Sequence, residues 1–312
     1  MAKVADTRRK LKDKSKNKIK IGVVVYKFER RSSTDSKILT PWAVKILQNK
    51  WSDTSIEEHL YFEAEVLRQL DHSNVVGFKA FVKGEDGQPC LAMEALDTSL
   101  GHKIEERRKK YLGKKPFSAN DIIIVGFETI KGLEYLHHNA HILHGDIKSW
   151  NILVTNDLNT IKLCDFGNSL PLTESLEQDT STCNYIYTGT WPWNPPEVIF
   201  ENRPAVTSAA DIWSYGLVLW EMLTLSTPHL ENISVDSSSS DEFASINTRR
   251  QKWTRNCKFG TRPAISNGLG EDYQKVLEIF FACTTNCYLL RPSAKALVNS
   301  YEHFADVDKI VR

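Results

Sequence analysis

The octapeptide His144-Gly-Asp-Ile-Lys-Ser-Trp-Asn151, followed nineteen residues after Asp146 by Asp165-Phe-Gly167, constrains this 312-residue chain more than any other feature. The two segments bring together two carboxylates, an amide and a lysine, and a combination at this spacing almost never arises by chance. Ile152-Leu-Val154 and Ile161-Lys-Leu-Cys164 read as short strands flanking a turn at 156–159. The composition, 41% hydrophobic and 25% charged, is globular, with enough chain for a large core. The six cysteines form no Cys-x-x-Cys pair, so a zinc site is not expected, and reduced thiols in a cytosolic or nuclear protein are. No apolar run approaches a membrane span. The first twenty residues carry nine Lys or Arg against two Asp, so the chain's net +1 conceals a basic leader of +7. Residues 1–18 read as a solvated, disordered tail without the apolar run of a secretory signal. They contain no aromatic residue to stack on bases, so a nucleic-acid partner is not expected.

The octapeptide resembles the catalytic loop of protein kinases, His-Arg-Asp-Leu-x-x-x-Asn, with Gly145 in the place of Arg. The resemblance implies an α+β bilobal fold. Residues 19–94 would form a small, mostly antiparallel β N-lobe with one key helix. Residues 95–312 would form the hinge and a larger, mostly helical C-lobe, with a mobile insertion at 231–256. Asp146 would accept the proton of an incoming hydroxyl, Lys148 would sit beside the transferring phosphate, and Asn151 and Asp165 would hold magnesium. Thr190, seven residues before Glu197, would bridge Asp146 and Lys148. Arg291 would pair with Glu197, and Asp211 would hold catalytic-loop amides.

The ATP side of the resemblance rests on Pro41-Trp-Ala-Val-Lys45, which fits the third-strand motif Val-Ala-Ile-Lys. Strand alternation puts Ala43 and Lys45 on one face, where a small Ala43 leaves room for adenine and Lys45 can reach the α- and β-phosphates. The helical stretch Ser55–Leu70 has an apolar stripe of Leu60, Ala64, Leu67 and Leu70, and Glu63 lies on it. A carboxylate in that position needs a buried partner, and Lys45 is the one the resemblance implies. Met93 would be the gatekeeper, Glu94 to Leu96 the hinge that meets adenine through its backbone, and Leu153 the floor beneath it. The phosphate loop departs from Gly-x-Gly-x-x-Gly-x-Val. Gly22 and Val24 read as its last glycine and valine, and Lys18 and Lys20 occupy the places of earlier glycines.

Cys90-Leu-Ala-Met-Glu94, Leu143-His-Gly-Asp-Ile-Lys-Ser149, Gly260-Thr-Arg-Pro263 and Tyr273-Gln-Lys-Val276 resemble the PDZ-binding kinase family, which shares Gly145. Leu163-Cys-Asp-Phe-Gly167 is similar to mitogen-activated protein kinase kinases. These resemblances imply an ATP- and magnesium-dependent serine/threonine kinase, open to dual specificity. Its partners would be protein substrates, mitogen-activated protein kinases among them, in mitotic signalling. A terminal Arg312 does not suit a PDZ pocket, so that interaction is not expected. The alternative is a pseudokinase scaffold, suggested by the sparse glycines and by Gly145. Because Gly145 offers no charge to an activation-segment phosphate, phosphorylation of Thr173, Ser175, Thr180, Ser181, Thr182 or Thr188 is expected to tune activity, not to switch it on.

Overall fold

The computed structural model describes residues 23–31, 38–47, 54–84, 87–182, 185–200, 206–229, 258–265 and 268–310. The basic tail, Lys18, Lys20, Gly22, the 231–256 insertion and Arg312 lie outside the described residues.

β-Branched and aromatic residues dominate the first two described segments, and both are strands: β1 (Val23–Arg31) and β2 (Ile38–Leu47). After α1 (Thr54–Arg68), β3 (Phe78–Lys83) and β4 (Pro89–Glu94) complete an antiparallel sheet of order β1-β2-β4-β3. α1 lies against β3 and β4 and buries Leu60, Ala64 and Leu67, with Glu63 beside them at 2% exposure. Glu65, two residues on, faces out and pairs with Arg68.

β5 (Thr98–Ser99) leads into α2 (Leu100–Tyr111), whose first turn is capped by Ser99 Oγ accepting from the His102 amide. α3 (Ala119–Glu134) is capped in the same way by Ser118 and turns Ile122, Val125, Thr129 and Leu133 inward. Its last turn widens to a π turn, Tyr135–Asn139, which carries His137. The chain then forms β6 (Ile142–Leu143), β7 (Ile152–Val154), β8 (Ile161–Leu163) and β9 (Leu170–Pro171). β7 and β8 make a hairpin with β5 at its edge, and β6 pairs with β9. The short α4 (Pro196–Ile199) precedes α5 (Ala209–Thr224). Every residue of α5 from Ala210 to Leu223 is buried, as a helix apolar on all sides requires. α6 (Gln274–Cys283) packs on α5, and α7 (Ala294–Ile310) packs on α3.

This is the expected bilobal architecture. One continuous apolar cluster joins Leu60 and Leu67 of α1 to Phe166, Leu136 of the π turn and Leu219 of α5, so the two lobes share a core. Among the described residues no helix is long and apolar enough to cross a membrane.

Candidate active site

The strands set the cleft. β2 and β4 place Ala43 opposite Met93 and Lys45 opposite Leu91. α1 brings Glu63 under the sheet, and Lys45 Nζ donates to Glu63 Oε2 at 2.5 Å and to Asp165 Oδ1 at 3.0 Å. Burial alone would lower the pKa of Lys45, but the Asp165 and Glu63 carboxylates outweigh it and raise the pKa, so the amine is a fixed cation. Asp165 sits at φ +69°, and Phe166 behind it is fully buried with its ring 5.0 Å from that of His144.

One cleft assignment changes. Val24 lies opposite Ile46, whereas Val25 lies opposite Lys45. Facing residues of paired strands share a face, so Val25, not Val24, looks into the cleft; a slip of one residue reverses every side chain. In the hinge, the Glu94 amide already donates to Gly77 O at 2.8 Å, and its side chain is held by Lys162 at 3.0 Å. The Glu94 amide is thus engaged within the fold, and the hinge's exchange with adenine falls to the remaining backbone groups of residues 94–96. Leu96 is half-buried beyond it, and Leu153 packs against the shared core from β7.

The catalytic loop hangs from α5. Asp211 accepts from the His144 amide at 2.8 Å and the Gly145 amide at 3.0 Å, and His137 Nε2 meets the same carboxylate at 2.9 Å. So held, the loop presents Asp146 to three donors. Thr190 Oγ1 donates to Oδ1 at 2.5 Å, Lys148 Nζ to Oδ2 at 2.6 Å, and Asn151 Nδ2 to Oδ2 at 3.1 Å. Lys148 also donates to Thr190 Oγ1 at 2.7 Å, so Thr190 bridges the pair. Asn151 spends its amide nitrogen on Asp146, which leaves its oxygen for a hard cation. Among the described residues no three His, Cys, Asp or Glu converge. The oxygens of Asn151 and Asp165 suit a divalent ion completed by phosphate and water.

Gly145 does more than lack a charge. Its φ is +75°, and a Cβ there would stand 2.4 Å from the Asn168 carbonyl oxygen. The activation segment is held by other means: Gln178 N donates to Val206 O at 2.7 Å and Ser208 N to Leu176 O at 2.9 Å. Its far end is fastened by Arg291, which grips both Glu197 oxygens at 2.7 Å. The Gly145→Ala variant is expected to lose about 1–3 kcal/mol from backbone strain alone. Denaturant unfolding checks this, and an unchanged midpoint would mean that the turn relaxes freely.

Glu221 lies among apolar residues in the second half of α5, and a carboxylate in that setting is the same signal that marks Glu63. It is buried, accepts from Ser149 Oγ at 2.7 Å, Ser149 N at 3.2 Å and Trp193 Nε1 at 2.9 Å, and so ties the catalytic loop to the segment after Thr190. Burial pushes its pKa up to about 7, against the pull of Ser149, Trp193 and Lys148. Between about pH 4.5 and 7 the folded chain keeps a proton that the unfolded chain has lost. Stability from this group is thus present below the lower value and falls through that window, by about 3 kcal/mol. Glu221→Gln is expected to flatten this slope in urea unfolding at pH 5 and pH 7.5. Equal slopes for parent and variant would show that Glu221 is ionised throughout.

A lysine clamped by two carboxylates in a small antiparallel lobe, above an aspartate ringed by lysine, threonine and asparagine, defines a phosphotransfer cleft. The protein kinase domain model matches residues 22–301, and the chain belongs to that family. It is 41% identical over 288 residues to the lymphokine-activated killer T-cell-originated protein kinase of Homo sapiens, covering 90% of this chain and 86% of that one. It is also 30% identical over 172 residues to mitogen-activated protein kinase kinase kinase zak-1 of Caenorhabditis elegans, covering 54% of this chain and 22% of the relative. Mitogen-activated protein kinase kinase kinase 13-B of Xenopus laevis is 34% identical over 186 residues, 59% of this chain and 17% of the relative. The chain spans less than a quarter of those two relatives. Family membership makes the chain an ATP-using protein kinase.

Proposed function

We propose that this chain is a catalytically competent serine/threonine kinase that uses ATP with magnesium, acts on proteins, and serves mitogen-activated protein kinase signalling. The observation that carries the reading is the joint placement of Lys45, Glu63 and Asp165 with Asp146, Lys148 and Thr190 in hydrogen-bonded order. No described group required for transfer is displaced, which favours catalysis over a scaffold role. Lys45, fixed by Glu63, holds the α- and β-phosphates. Asp146 orients the acceptor hydroxyl and takes its proton, while Lys148 offsets charge on the transferring group. Asn151 and Asp165 would hold magnesium, which when bound would neutralise phosphate charge. The signalling assignment draws on the names of the relatives, and acceptance of tyrosine remains within the same reading.

The test is phosphate transfer from labelled ATP to the chain itself and to a mixed protein substrate, across a magnesium titration, with phosphoamino-acid analysis. The parent is expected to label serine and threonine, before and after phosphatase treatment. Asp165→Ala is expected to lose magnesium-dependent transfer. Transfer by Asp165→Ala equal to the parent at every magnesium concentration would overturn the metal assignment, and no transfer by the parent would favour the scaffold.

A further inference from the structure

Between residues 105 and 115, at the end of α2 and in the turn after it, six cations face two carboxylates, Glu105 and Glu106. The helix dipole favours Arg108, Lys109 and Lys110 in the last turn. It does not account for Lys114 and Lys115, which lie beyond the helix. Arg107 is spent on the Lys115 and Pro116 carbonyls and on the Phe117 ring, and Lys109 reaches Glu105 at 3.6 Å. Arg108, Lys110, Lys114 and Lys115 are exposed and make no ion pair among the described residues. Lys110 and Lys115 flank the Tyr111 ring at 5.2 and 5.3 Å, which gathers them on one surface.

Arg108 connects this surface to the catalytic loop. With Gly101, Glu105, Ser149, Trp150 and Glu221 it lines one surface depression. Trp150 stands four residues from Asp146 and is 41% exposed, its indole resting on Gly101, where a Cβ would meet the ring at 2.6 Å. Of the two carboxylates here, Glu221 is buried and engaged with Ser149 and Trp193, and Glu105 pairs with Lys109. A polypeptide that crosses Trp150 on its way from Asp146 therefore meets net positive charge.

We infer that this kinase selects acceptor sites flanked by anionic side chains, aspartate, glutamate or phosphoserine, read by Arg108, Lys110, Lys114 and Lys115. The inference rests on the reading of the chain as an active protein kinase and names its substrate class. Both sources share the chemistry of an acidic oxygen, and phosphoserine carries nearly twice the charge.

The test measures kcat/KM of the full chain on peptides that share one acceptor and carry acidic, phosphoserine, neutral or lysine residues scanned through the flanks. Two exposed charge contacts predict an advantage of about tenfold for the best acidic peptide over the neutral one, shrinking at high salt. Phosphoserine is expected to exceed it, and a gain with phosphoserine alone supports the inference and assigns the source to phosphate. In Arg108→Glu/Lys110→Glu the ratio of acidic to neutral falls to about one or below, with KM for ATP and thermal unfolding reporting on the fold. Lys114→Ala/Lys115→Ala, beyond the helix, lowers the ratio in the same direction and serves if the first variant misfolds. Equal kcat/KM across the set, or preference for lysine flanks, overturns the inference and leaves the kinase reading standing. Transfer to no peptide and no protein overturns that reading and the inference with it.

Discussion

Asp146→Asn is expected to lower kcat by about 10²–10⁴-fold while the chain stays folded. Asparagine preserves the shape of the side chain but carries no charge and cannot take the acceptor's proton. In the parent, Asp146 is acceptor to Thr190, Lys148 and Asn151 at once. In the variant one of those donors faces an NH₂ group, so the acceptor hydroxyl loses both its base and its alignment. Lys45 and Glu63 belong to the other lobe and are untouched, so KM for ATP should hold while kcat falls. That split marks a group whose contribution is made in the transition state. Steady-state kinetics with thermal unfolding of both proteins provide the check. Parent-level turnover in the variant would mean that another group accepts the proton.

Arg291→Ala is expected to cost about 3–5 kcal/mol of stability, because it strands a buried carboxylate. Glu197 is 3% exposed and receives both of its strong donors from this guanidinium. Arg291 also donates to Ala209 O, Thr285 O and Asn286 O, and lies 4.9 Å over the Trp213 ring. One residue thus closes the end of the activation segment, the start of α5 and the turn after α6. A loss of this size is a large part of the 5–15 kcal/mol that holds a typical domain together. Arg291→Lys should recover little, since an ammonium cannot make the two parallel bonds. Denaturant unfolding of both variants measures the effect, and a shift below about 1 kcal/mol would show that Glu197 protonates or finds another donor.

Sequence revealed what is written in side chains at a fixed period. Lys45 and Ala43 follow from strand alternation, and Glu63 from a carboxylate on an apolar helical stripe. The pairings of Lys45 with Glu63, Arg291 with Glu197, and Asp211 with the loop amides came with the family resemblance, since no local pattern joins residues so far apart in the chain. What escaped was written in the backbone. The left-handed turn at Gly145 and its contact with Asn168 leave no mark beyond a glycine that reads equally well as a missing arginine. The Glu94 amide is consumed by Gly77, a bond independent of side-chain identity. Val24 follows from a motif with too few glycines to fix its register, and in a strand one residue is enough to choose the wrong face. Glu221 stands out in sequence only as a carboxylate on a buried helix, because its partners, Ser149 and Trp193, sit on loops that carry no periodic signal.

The activation segment closes on its neighbours through main-chain pairs at 176–178 and 206–208, with Gly145 turned against Asn168. In a segment ordered by a phosphate on an arginine, the competent population is set by an upstream enzyme. Here the described contacts that hold the segment are peptide units together with the Arg291–Glu197 pair, present from the moment the chain folds. The ordered fraction then depends on the same free energy as the rest of the lobe, and mutations that loosen the lobe should dim activity before they unfold it. Flux through such an enzyme is expected to scale with its copy number. Synthesis, turnover and the supply of acceptor proteins would then set its timing in the cell.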